Sequence, residues 1–146
     1  MSKRAEEAVQ LFEQGFNCAQ AIVTTYGPAF GLDRKNASKV ACGFGGGMRM
    51  AGVCGAVTGA FMVIGLKHGN TRPEDKDTKQ KTYEIVQDFT KRFRARNNFI
   101  LCKDLLGCDI STPDGLRIAT EKGLFKSVCP KLVRCATEIL EQMLFE

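Results

Sequence analysis

The run from Val53 to Leu66 holds 14 residues without a charge. It is shorter than the roughly 20 apolar residues that a membrane-spanning helix needs. A helix that is apolar on every side has to be buried, with other elements laid around it. Gly55 and Gly59 fall four apart on one face, and Gly52, Ala56 and Ala60 line the next. Such small residues let a neighbouring backbone come close. The pattern predicts a central helix over 53–68, stopped by Gly69 and Asn70.

The flanking segments also read as helices. Residues 3–14 place Ala5, Val9, Leu11 and Phe12 at helical spacing, with Glu6 and Glu7 early and Gly15 as a C-terminal cap. Asn17 is a good N-cap for a helix from Cys18 to about Tyr26, ended by Gly27 and Pro28. Residues 36–42 predict a short third helix. Gly43–Gly47 then forms a flexible turn whose glycines can take positive φ. Pro73 opens a long polar helix to about Arg96, with Tyr83, Val86, Phe89, Thr90 and Phe93 as its buried stripe. Short helices are expected over 100–106 and 113–122, the second capped by Thr112 and Gly123. A last helix runs from Pro130 to about Leu144.

No segment alternates with period two for long enough to be a strand, and no linker or repeat divides residues 1–146. The expected fold is all-α: a compact single-domain bundle of about six to eight helices around the central glycine-rich one.

Seven cysteines in 146 residues is a high share and an odd number. The opening MSKRAEEAVQLFEQ runs straight into helical periodicity without an apolar leader core. A cytoplasmic, reducing setting is therefore expected. There, many thiols point to metal or redox chemistry more than to a disulfide framework. The net charge of +5 is concentrated in KRFRAR, Lys91–Arg96, which reads as a solvated helix face, with a docking face as the alternative. Tryptophan is absent and tyrosine scarce, leaving little surface for stacking bases, so nucleic acid is not an expected partner.

The zinc-ribbon, thioredoxin and Walker signatures are missing, because there is no CxxC pair and no GK[ST] after the glycines. The one histidine, His68, falls at the end of the central helix, where it can meet the last carbonyls.

Four of the cysteines lie near expected helix starts. Cys18 follows Asn17, Cys54 lies in the first turn after Gly52, Cys102 begins CKDLLG, and Cys129 takes the N-cap position before Pro130. Free N–H groups and the helix dipole there favour thiolate over thiol. Thiolates bind iron or zinc and attack disulfides. The plainer alternative is a small buried hydrophobe, and it is the preferred reading for Cys42, Cys108 and Cys135. Cys129 and Cys135, six apart, sit about 240° apart around a helix and cannot easily share a site.

NCAQA at 17–21, GGGM at 45–48, GVCGAVTG at 52–59, CKDLLG at 102–107 and VCPKLV at 128–133 follow one another along the chain. Together they resemble the C_GCAxxG_C_C family of redox-active proteins over almost the whole length. Carried over position by position, the family cysteines are Cys18, Cys54, Cys102 and Cys129. The resemblance implies an electron carrier or accessory oxidoreductase, working with a redox partner from a transporter or oxidoreductase system. It also implies an iron–sulfur cluster on those cysteines, used in electron transfer or redox sensing, with [2Fe–2S] slightly ahead of [4Fe–4S].

Similar helical domains occur in split-Soret cytochromes, but this chain has no CxxCH site for covalent haem. The alternatives are metal-free thiol–disulfide chemistry among the same cysteines and a zinc-stapled interaction module. The glycine stripe would permit a homodimer, and no membrane span is expected.

Overall fold

The computed structural model describes residues 2–145. Among them, seven helices have eight residues or more and two are single turns. In chain order they are α1 (Lys3–Glu13), α2 (Cys18–Tyr26), α3 (Arg34–Ala41), α4 (Gly55–His68) and α5 (Lys76–Asn97). The remainder are α6 (Cys102–Leu106), α7 (Pro113–Glu121), α8 (Leu124–Ser127) and α9 (Cys129–Phe145). No strand occurs among the described residues, only an isolated bridge between Val53 and Leu101. None of these helices is long and apolar enough to cross a membrane.

Helix α4 is the hub that its composition requires. Ala56, Val57, Ala60, Val63 and Ile64 are fully buried, and α2, α5 and α9 pack around them. Gly55 and Gly59 face α2. A Cβ on Gly59 would stand 3.1 Å from both Ala19 Cα and Ile22 Cβ. That is closer than ordinary van der Waals contact, so the two helices meet only because glycine is there. This face is taken up by α2 rather than left open to a second chain.

Local chemistry sets the helix starts. Ser2 Oγ accepts from the Ala5 N–H at 3.1 Å and begins α1. At α2, Asn17 accepts from the Gln20 N–H at 2.9 Å, and the Gln20 side chain accepts from the Asn17 N–H at 3.0 Å. This reciprocal pair satisfies two donors that the first turn leaves free. Thr112 caps α7 by accepting from the Gly115 N–H at 3.0 Å.

Helix α5 begins later than the sequence predicts. Pro73 lies in the preceding turn, and Asp75 is the N-cap, accepting from the Thr78 N–H at 3.3 Å. A carboxylate can satisfy a first-turn donor and proline cannot. The buried stripe is also rotated. It runs through Ile85, Val86, Phe89 and Phe93, while Tyr83 is 52% exposed.

Helices α1, α2 and α9 are fastened by one network. Arg4 pairs with Glu141 at 3.1 Å, and its guanidinium lies 4.1 Å from the centre of the Phe145 ring. The buried Tyr26 hydroxyl donates to the same carboxylate at 3.1 Å. Burial, then the Glu141 charge, pushes the Tyr26 phenol up. In the basic stretch on α5, Arg92 pairs with Asp88 at 3.2 Å and Arg96 with Glu138 at 2.8 Å.

Candidate functional site

Each of the four cysteines stands at the first turn of a different helix. Cys18, Cys102 and Cys129 are the first residues of α2, α6 and α9, and Cys54 is the N-cap of α4. Helix α9 therefore starts one residue earlier than expected, with Cys129 inside it.

Two backbone bonds clip the middle pair together. The Cys54 N–H donates to the Ile100 carbonyl at 2.8 Å, and the Cys102 N–H donates to the Gly52 carbonyl at 2.6 Å. Gly55 lets Cys18 approach the same point. A Cβ there would lie 3.2 Å from Cys18 Cβ and 3.1 Å from the Phe44 carbonyl oxygen.

All four sulfurs belong to residues that are at most 8% exposed. They line one cavity of about 60 Å³, closed by Phe12, Leu105, Ile110, Phe125 and Leu132. One water needs roughly 10–15 Å³ of such space. The cavity therefore has room for a small group, and its walls are mainly apolar.

The thiols are electrostatically unequal. Cys54 is held below the ordinary thiol range by a hydrogen bond from Cys18, which outweighs its burial, and by the Ala56 and Val57 N–H groups. Cys18 is pushed well up by its hydrogen bonds to Cys129 and Cys54, and then by burial. Burial, with the neighbouring Cys54 and Cys129, raises Cys102 to about 12.

At Cys54 the thiolate is favoured first by the neighbouring Cys18 thiol and then by the N–H groups of the helix start. The expectation that helix starts favour thiolate is overturned at Cys18, where neighbouring sulfur and then burial outweigh the helix end, and at Cys102, where burial leads. The inequality has a direct consequence in the reduced, metal-free chain. One cavity thiol should ionise below the ordinary range, seen as ultraviolet thiolate absorbance. Cys54→Ser should remove that early step, and its survival in this variant would place the anion on another sulfur.

The other cysteines stay outside the cavity. Cys42 is exposed at the end of α3, against the expectation of a small buried hydrophobe. Cys108 is half-buried just after Gly107, which takes a left-handed φ of 74°. Cys135 is buried and accepts from Asn97 Nδ2 at 3.3 Å. Among the described residues, no group of three or more His, Cys, Asp or Glu side chains is arranged to hold a metal ion.

One element of the site has no sequence signal. The predicted glycine turn ends at Gly47, yet left-handed backbone continues through Met48 (φ 59°) and Arg49 (φ 56°) and returns at Ala51 (φ 55°). Each non-glycine residue in that region costs roughly 1–2 kcal/mol. A hydrogen bond from the Gly52 N–H to the Gly47 carbonyl at 3.0 Å and the burial of Ala51 hold the turn. It sets Gly46 in the cavity wall and Gly52 against Cys102. Strain of this kind collects where a fold has to position a site.

The family model described as "Putative redox-active protein (C_GCAxxG_C_C)" matches residues 16–143. The chain belongs to the C_GCAxxG_C_C family. The matched span contains all four cavity cysteines, and its description assigns redox activity without naming a cofactor. No curated protein and no solved structure matches this C_GCAxxG_C_C chain.

Proposed function

We propose that Cys18, Cys54, Cys102 and Cys129 hold an iron–sulfur cluster, through which the protein exchanges single electrons with a redox partner. The observation that carries this reading is the convergence of four thiols from four separate segments on one enclosed cavity. Two thiols suffice for a disulfide, and thiols that react with other proteins need access to solvent.

Four thiols on one cavity suit an iron–sulfur cluster, and a zinc held by four thiolates is the alternative. The modest cavity favours the smaller [2Fe–2S] core.

When bound, the cluster would supply a one-electron couple inside the protein. The chain's own residues do the rest. The Ala56 and Val57 N–H groups offset negative charge at Cys54, and hydrogen bonds of that kind tune a cluster's potential. The apolar wall limits solvent access.

A second reading is favoured by one observation. Cys18 lies beside both Cys54 and Cys129, whose sulfurs raise its thiol more than burial does. Oxidation of either pair would join two sulfurs and release two protons and two electrons to an acceptor.

Anaerobic purification separates the readings. The cluster predicts a brown protein with iron and acid-labile sulfide in similar amounts. A colourless protein that lacks both after reconstitution, but loses two titratable thiols on oxidation, would replace the cluster with the dithiol. Stoichiometric zinc with no redox response would contradict both.

A further inference from the structure

The four thiols are withdrawn from the surface, each residue at most 8% exposed, so a reactant or metal needs a wider way in. On the far side of two aromatic rings lies an open groove of about 500 Å³, lined by Phe12, Glu13, Phe16, Phe125, Lys126 and Pro130. Phe12 and Phe125 are the residues that border both this groove and the thiol cavity. Pro130 follows Cys129 directly.

We infer that this groove is the entrance to the thiol cavity and that Phe12 and Phe125 form its gate. The two rings sit on supports of unequal rigidity. Phe12 belongs to the 11-residue α1. Phe125 rides on the single turn α8, which follows Gly123 at a left-handed φ of 65°.

Three backbone bonds hold that turn: Lys126 and Ser127 donate to the Gly123 carbonyl, and Val128 donates to Leu124. Nothing lies within 4 Å of the place where a Gly123 Cβ would be, so the hinge is free of packing. Phe125 is half-buried, while Phe89 and Phe93 in the core are fully so. A turn with few bonds and partial burial opens at lower free energy than the long helices around it. Phe125 is the moving leaf and Phe12 the fixed one.

The rim sets what passes. Glu13 and Lys126 are exposed and lie on the groove with opposite charges, above an aromatic floor. Their fields largely cancel, so the entrance suits small molecules of low net charge and gives no advantage to strongly charged ones. The inference concerns access and holds whether the thiols carry a cluster or react as a dithiol.

The test is alkylation of the reduced, metal-free full chain with iodoacetamide, a small neutral reagent, followed by peptide mapping. Phe125→Ala should raise the rate at the cavity cysteines by about tenfold, the scale of a modest loss of local stability. Cys135 is equally buried but outside the cavity, so it reports global opening, and its rate should not change. Phe16→Ala widens the groove without touching the cavity wall and should leave every rate alone.

Unchanged cavity rates in Phe125→Ala would overturn the gate. If Cys135 accelerates equally, the variant has loosened the whole fold and Phe125→Leu decides. Faster cavity thiols with an unmoved Cys135 would then support the gate, and any other pattern would refute it.

Discussion

Gly47→Ala should cost about 2–5 kcal/mol and dismantle the four-thiol site. An alanine Cβ would stand 2.4 Å from the Gly52 nitrogen and 2.5 Å from its oxygen, both backbone atoms that cannot rotate away. The residue also has φ of +62°, so strain adds to the clash. The same Gly52 carries two of the bonds that organise the site: its N–H donates to Gly47, and its carbonyl accepts from Cys102. Pushing Gly52 away leaves only the Cys54 N–H bond to Ile100 to hold Cys102 beside Cys54.

Denaturant unfolding should show a lower midpoint, and the content of the proposed cluster should fall together with stability. A variant as stable as the parent would mean that the left-handed turn is not held as described.

Gly115→Ala should be at least as damaging, by about 3 kcal/mol or more. The added Cβ would fall 1.7 Å from the Asp109 carbonyl oxygen and 2.4 Å from its carbon. That carbonyl already accepts from the Thr112 N–H at 3.2 Å and its hydroxyl at 2.9 Å, so it has no free direction to move. Either α7 loses its first turn or residues 109–112 are displaced. The second outcome reaches the site, because Ile110 closes the thiol cavity.

Gly65→Ala is the control. It lies inside α4, and its Cβ would meet nothing within 4 Å. Alanine is the better helix former, so this change should be neutral or stabilise by about 0.5–1 kcal/mol. A thermal melt of the three variants tests the ranking.

The helices were legible where a capping side chain precedes an apolar period, as at Asn17 before α2 and Thr112 before α7. The central position of α4 was legible from its uncharged composition, but the face through Phe61, Met62, Gly65 and Leu66 is only partly covered. Errors arose where two signals competed. Asp75 displaced Pro73 as the start of α5, and Ile85 displaced Tyr83 from the buried stripe.

The site was legible as a set of helix-start cysteines and hidden as a geometry. Which thiol carries the charge depends on contacts between segments distant in the chain, and no local pattern records those. The left-handed turn was hidden for a different reason. Met48, Arg49 and Ala51 are residues that ordinarily avoid that backbone, and only the packing around Gly52 imposes it.

Iron and acid-labile sulfide per chain, measured anaerobically across the seven single Cys→Ser variants, test the four-thiol centre most directly. Cys18→Ser, Cys54→Ser, Cys102→Ser and Cys129→Ser should each lose the cluster and its visible absorption. Cys42→Ser, Cys108→Ser and Cys135→Ser should keep both, since none of these residues lines the cavity. Retention of iron and sulfide by a folded variant of any cavity cysteine would contradict a four-thiolate site, as would their loss on replacing the exposed Cys42.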